Sequence, residues 1–205
     1  MTRQTFAGLT LVGAALLAAV GCGSSDSSAP TSTTAPSTTA VAGTVLWPLP
    51  ADPQAAITAA GLAAAKEEGQ AVHYHSHLDV VVNGKPVMVP ANIGITRTGI
   101  SPLHTHQDVD SDPQASTGVV HIEADKADTF TLGQLFTEWG VPLTRDCVGT
   151  YCTDAANELR VYVNGKQVAD PASVPFGAHD QITLWFGPRG AKADVASSYD
   201  FPQGE

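Results

Sequence analysis

Residues 73–89 read HYHSHLDVVVNGKPVMV and combine a strand-like pattern with a turn signal. Residues 73–82 alternate in side-chain character and end in a run of valines, which is typical of a β-strand. Asn83-Gly84 is the dipeptide that most strongly favours a two-residue hairpin turn. The chain returns through residues 85–89, where Pro86 indicates an unpaired side because proline has no backbone N–H. The stretch therefore predicts a β-hairpin.

A second stretch has nearly the same pattern. Residues 159–168 read LRVYVNGKQV and align with LDVVVNGKPV at residues 78–87. The sequence thus predicts another hairpin, with its turn at Asn164-Gly165. A duplicated ancestral unit and a turn that was favoured twice explain the similarity equally well, and both explanations stay open.

Helices and further strands are predicted from periodicity. Asp52-Pro53 favours a helix start, and the Ala-rich sequence after it predicts a helix as far as residue 68, before Gly69. Residues 118–124 and 180–187 are predicted strands. A short helix is predicted over residues 129–140, with four apolar residues at helical spacing on one face, namely Leu132, Leu135, Phe136 and Trp139.

These elements predict a single α+β domain. Its sheet is expected to be mostly antiparallel, with two Asn-Gly hairpins and one or two packed helices, and the specific expectation is a β-grasp-like arrangement. The tail after Gly187 is expected to be irregular and held down by Tyr199 and Phe201.

The N-terminus indicates export. Arg3 precedes an apolar stretch at residues 6–20, which is shorter than the roughly 20 residues of a comfortable membrane span. The segment ends in Ala19-Val20-Gly21-Cys22 and resembles a bacterial lipobox, although Ala19 stands where leucine is usual. The resemblance implies cleavage before Cys22, lipidation of its sulfur and an extracytoplasmic position on the cell membrane. The alternative is an ordinary signal peptide that is cut nearby.

The domain boundaries follow from this interpretation. Residues 1–21 are the predicted signal peptide, and residues 22–45 are a predicted disordered tether of Ser, Thr, Ala and Pro. Residues 46–201 are the predicted globular domain. Because Arg3 is the only charge before Cys22, the mature chain would have nine basic and 20 acidic side chains, a net charge of −11. Such a charge argues against a nucleic-acid partner.

The cysteine count is consistent with export. If Cys22 carries lipid, Cys147 and Cys152 are left as a pair, and oxidising surroundings favour a disulfide between them. The alternative is a C-x4-C thiolate site for a metal or for redox chemistry.

Histidines form three groups. They occur as H-x-H-x-H at residues 73–77, as H-x-H at residues 104–106 and as His121 beside Glu123. Imidazole is the commonest protein ligand for zinc and copper, so the groups predict a metal site. The predicted ligands are His75, His77, His104, His106 and His121, with His73 and Glu123 as possible additions.

Spacing divides the predicted ligands into arms. Residues i and i+2 share a strand face, so His75 with His77 and His104 with His106 should each act as a chelating arm. His73 is expected at the rim or at a second ion. A four-histidine site, a three-histidine site with an exchangeable position and two neighbouring ions all stay open, as does pH sensing. His179 is expected to take no part.

The ligands are nitrogen-rich, which favours Cu(II) or Zn(II) over Cu(I). The chain from about residue 73 to residue 186 also resembles uncharacterised secreted or lipid-anchored bacterial proteins that combine H-x-H-x-H, L-H-T-H and V-N-G-K. That resemblance implies a compact exported domain and no particular activity. The leading prediction is a lipid-anchored protein that captures, buffers or transfers a metal ion. A cell-envelope interaction module is the alternative, followed by a metalloenzyme with Glu123 as general base.

Overall fold

The elements follow one another along the chain in the computed structural model, which describes residues 45–107 and 116–203. They are α1 (Pro53–Ala59), β1 (Val72–Val82), β2 (Lys85–Val87), β3 (Leu103–His104), β4 (Val119–Ala124), α2 (Leu132–Trp139), β5 (Cys147–Val148), β6 (Tyr151–Cys152), β7 (Asn157–Val163), β8 (Lys166–Val168) and β9 (Gln181–Pro188). A single 3-10 turn at Pro171–Ser173 precedes β9.

One sheet contains most of the strands. Its order within the described residues is β3-β4-β1-β9-β7-β8, and β2 pairs with the end of β1 beyond β4. All neighbours are antiparallel except β1 and β9, which run parallel at the centre. The α+β class and the mostly antiparallel sheet are therefore confirmed, whereas the β-grasp arrangement stays a prediction.

Both Asn-Gly dipeptides lie between antiparallel partners. Val82 is opposite Lys85, and Val163 is opposite Lys166. The turn residues have positive φ throughout, 53° and 74° in the first turn and 51° and 75° in the second. Asparagine and glycine tolerate this left-handed backbone better than other residues, which explains why the pair stands at each turn.

The first helix is shorter than the sequence predicts. It ends at Ala59, and Gly61 takes a left-handed φ of 75°. The N–H groups of Gly61 and Leu62 then bond back to the helix, which is the Schellman ending that glycine favours. The predicted extension to residue 68 is wrong because this ending turns the chain away, and Ala65 instead pairs with Ile100.

The second helix agrees with its prediction. Thr131 and Gln134 form a capping box at its start, and Gly140 ends it at a φ of 76°. The predicted apolar face is completely buried, and it joins the core with Ile122 and Leu184 of the sheet. The Trp139 indole N–H also donates to the Trp47 carbonyl at 3.1 Å.

The two faces of the sheet differ in chemistry. On β1, Leu78, Val80 and Val82 point into the core, so the alternate residues, which include the three histidines, lie on the other face. On β4, Val120, Ile122 and Ala124 belong to the core, which places His121 and Glu123 on that same second face. Helix packing thus occupies one face and leaves the histidines together on the other.

The predicted disulfide is present. Cys147 and Cys152 are bonded and stand opposite each other in the short β5–β6 hairpin. This finding excludes the thiolate metal site, because both sulfurs are used.

The predicted signal peptide, Cys22 and nearly all of the tether lie outside the described residues. Neither helix in residues 45–107 and 116–203 has the length and apolarity that a bilayer crossing demands.

Candidate metal centre

Strand register gathers the candidate ligands. Across β1 and β4, His75 is opposite His121 and His73 is opposite Glu123. Across β3 and β4, His104 is also opposite His121. Directly opposed residues of a sheet project from the same face, so three strands supply one row of side chains.

The first candidate group consists of His104, His106 and His121. One ring nitrogen from each lies within 4.8 Å of the others. Nε2 of His104 and Nε2 of His106 are 3.0 Å apart. This separation is that of a hydrogen bond, and it is shorter than the roughly 3.3 Å between two nitrogens bound to one zinc at about 2.0–2.1 Å in tetrahedral geometry. A small ring movement would therefore accommodate a shared ion.

Hydrogen bonds orient two of these rings. Nδ1 of His104 lies 2.8 Å from the Ser101 carbonyl oxygen, which can only accept, so Nδ1 carries the proton and Nε2 keeps its lone pair. Nδ1 of His121 lies 3.2 Å from a carboxylate oxygen of Glu123. Carbonyl and carboxylate partners of this kind fix the orientation of metal-binding imidazoles.

Burial keeps the same two rings neutral. Together with the neighbouring His106 imidazole, it lowers the pKa of His104 to about 4. Burial and the surrounding imidazoles lower the pKa of His121 to about 2. Coordination requires the neutral ring, so protons compete weakly for these ligands near pH 7.

A second group lies beside the first. It consists of His73, His75 and Glu123, again with ligand atoms within 4.8 Å of one another. Glu123 Oε1 is 3.5 Å from His73 Nε2 and 4.0 Å from His75 Nε2. The rings of His75 and His121 are in edge contact, with centroids 4.4 Å apart.

Glu68 joins the cluster from the loop after α1. Its Oε1 lies 3.4 Å from His106 Nε2 and 3.9 Å from His104 Nε2. Glu68 was not among the predicted ligands, because the sequence places it on a helix that in fact ends nine residues earlier, at Ala59. No local pattern marks the return of this loop to the sheet.

An open cleft adjoins the cluster. It has a volume of about 440 Å³, and both Glu68 and Glu123 line it, together with Ser101 and Lys126. Two carboxylates of the cluster, and none of its histidines, therefore line the cleft.

His77 is not brought into either group, so the predicted arm of His75 with His77 is not formed. Nδ1 of His77 lies 2.8 Å from Gln181 Oε1, and Nε2 lies 2.8 Å from the Thr117 carbonyl oxygen. Its ring stacks on Tyr199 with centroids 3.7 Å apart. These partners occupy both nitrogens and hold the ring between β9 and the segment that precedes β4.

The remaining predicted residues are placed as follows. His73, His75, His104, His106, His121 and Glu123 all belong to a candidate group. His179 is exposed and packs on Phe201, with ring centroids 4.8 Å apart. Tyr199 and Phe201 of the tail thus contact the domain, as expected.

The first group offers three imidazoles and the second offers two imidazoles and a carboxylate, and both donor sets suit a divalent cation. Comparisons with protein-family models, with curated proteins and with solved structures found no match to this chain.

Proposed function

We propose that this protein binds Cu(II) or Zn(II) through His104, His106 and His121, and that it captures, buffers or transfers the ion at the cell surface. One observation carries the proposal. The three imidazoles converge within 4.8 Å, and hydrogen bonds to Ser101 and Glu123 already orient two of them. Such preorganisation favours binding because little side-chain freedom is lost when the ion enters.

The donor atoms support the choice of ion. Three nitrogens with a nearby carboxylate suit Zn(II) and Cu(II), whereas Cu(I) prefers sulfur donors. Divalent ions follow an affinity order in which copper exceeds zinc, so copper should bind more tightly in an equal competition.

The proposal also includes attachment of the domain to the membrane. Lipidation of Cys22 would tie the domain to the outer face of the membrane, with residues 22–45 as a flexible tether. The ion would then be held at the cell surface.

A metalloenzyme is the second candidate, and the cleft favours it. Glu68 and Glu123 line this cleft, and Glu68 Oε1 lies 3.4 Å from His106 Nε2, so a solute in the cleft would lie beside carboxylates that adjoin the ion. Three protein ligands with an open fourth position are typical of catalytic zinc. The carboxylates would then serve as general bases.

Metal titration of the full chain tests the proposal. Metal-stripped protein in detergent is titrated with Zn(II), and with Cu(II) in glycine buffer, by isothermal calorimetry. We expect binding at micromolar affinity or tighter, and a rise in melting temperature, since an ion at 100 times its Kd stabilises the fold by about 2.7 kcal/mol.

Two variants make the result specific. His106 is partly exposed, so His106→Ala should fold normally and yet weaken the tightest binding by about 100-fold or more. The exposed His179 is the matched control, and His179→Ala should bind like wild type. Wild-type binding weaker than high micromolar would overturn the proposal in favour of an interaction module without metal.

A further inference from the structure

We propose that His73, His75 and Glu123 bind a second divalent cation beside the first, so that the protein holds a two-ion centre. This inference rests on the proposed function at His104, His106 and His121. The second group has its own imidazoles, and its three ligand atoms lie within 4.8 Å of one another.

The spacing of the second group fits coordination better than hydrogen bonding. Glu123 Oε1 is 3.5 Å from His73 Nε2 and 4.0 Å from His75 Nε2, and both distances exceed the 2.7–3.2 Å typical of a hydrogen bond. Ligands of one ion in tetrahedral geometry are separated by roughly 3.3–3.5 Å. Small rotations would bring all three atoms to that separation, and the His73 side chain is half exposed and has room to move.

Burial of the Glu123 carboxylate is an electrostatic reason to expect a cation beside it. Its side chain is only 4% exposed, although a carboxylate is costly to remove from water. A divalent cation at His73 and His75 would offset part of that cost directly.

The two sites would be neighbours linked through Glu123. His121, a ligand of the first ion, contacts Glu123 Oε1 at 3.2 Å, and the same oxygen faces His73 and His75. Ligand atoms of Glu68, His104 and Glu123 also lie within 4.8 Å of one another. The imidazole of His121 and the carboxylate of Glu123 would therefore connect the first ion to the second.

The two bound ions should differ in how readily they exchange with ions in solution. Each group has two buried ligands and one ligand at the rim, and the rim ligand His73 is 50% exposed whereas His106 is 37% exposed. The first ion should therefore be held more tightly and the second should exchange with solution. A retained ion beside an exchangeable one suits a protein that takes up or hands over metal.

The test counts ions in the metal-stripped full chain. Zn(II) titration followed by elemental analysis should give two ions per chain, in one tight and one weaker step. His73→Ala should weaken the second step at least tenfold and leave the tight step within twofold of wild type. His106→Ala should weaken the tight step and leave the affinity of the second step within twofold of wild type. The control His179→Ala should keep both steps at wild-type affinity.

Copper provides a spectroscopic check. The first equivalent of Cu(II) should give the paramagnetic resonance signal of an isolated ion, and the second should broaden it through coupling between close spins. His73→Ala should retain the isolated signal after two equivalents have been added.

Each failure has a distinct signature. One ion in wild type, sensitive to His106→Ala but not to His73→Ala, would overturn the second site and leave the first. Two ions in His73→Ala at unchanged affinity would also overturn the second site. Absence of any binding would refute both proposals.

Discussion

His75 stands directly opposite His121 in the antiparallel β1–β4 pair, and their rings meet edge to face with centroids 4.4 Å apart. The same register sets His73 opposite Glu123. The candidate ligands therefore lie on paired strands, with only Glu68 and His106 contributed by loops. Sites built on strands are held more rigidly than sites on loops, so we expect the cluster to keep its geometry without metal.

The disulfide should stabilise the fold without affecting metal binding. Replacing both cysteines, as in Cys147→Ser with Cys152→Ser, removes a short covalent loop with a sequence separation of five. Loop entropy predicts a loss of about 2 kcal/mol in the free energy of unfolding, measured by denaturant titration. Reduction of the wild type should reproduce this loss. Equal stability of the variant and the oxidised wild type would contradict the prediction.

Glu138 should make stability fall as pH rises. It is 1% exposed, and burial raises the pKa of its carboxyl to about 8, from an ordinary value of 4.5. Between these values the folded chain holds a proton that the unfolded chain has lost. The free energy of unfolding should therefore decrease by up to about 1.4 kcal/mol per pH unit, and the loss should level off above the folded pKa.

Glu138→Gln cannot ionise and should escape this loss. Its stability relative to wild type should increase steadily from pH 5 to pH 8 in thermal or urea unfolding. The control is the exposed glutamate variant Glu67→Gln, whose curve should run parallel to that of wild type. A constant offset between Glu138→Gln and wild type across this range would show that Glu138 keeps its ordinary titration.

Cys22 should determine membrane attachment. If the lipobox interpretation is right, Cys22→Ala prevents lipidation and releases or mislocalises the protein, as fractionation and intact-mass measurement would show. Ser24→Ala is the control and should fractionate like wild type. A Cys22→Ala protein that stays in the membrane fraction with unchanged mass would refute the anchor.

The sequence alone determined most of the local structure. The alternation in β1, the helical spacing of apolar residues in α2 and the two Asn-Gly turns act over a few residues, so their patterns can be read directly. The disulfide followed from the number of cysteines together with predicted export. The histidine pattern likewise indicated a metal site before any contact was known.

The C-terminal end of the first helix could not be predicted from the local sequence. Its Ala-rich sequence continues past Ala59, and glycine is tolerated in many helices, so nothing local required the helix to end there. The helix ends at Ala59 because Gly61 adopts a left-handed conformation and Ala65 pairs with Ile100. Pairing with a segment 35 residues away overrode helix propensity and brought Glu68 to the cluster.

Only the tertiary structure decided which histidines share a site. A two-residue period specifies the face on which a side chain lies, but not its neighbours on that face. His75 and His77 share a face, yet strand pairing sets His75 against His121, while Gln181 and Thr117 hold His77 elsewhere. Register between distant strands is set by packing of the whole core, which is why the ligand groups had to come from the fold.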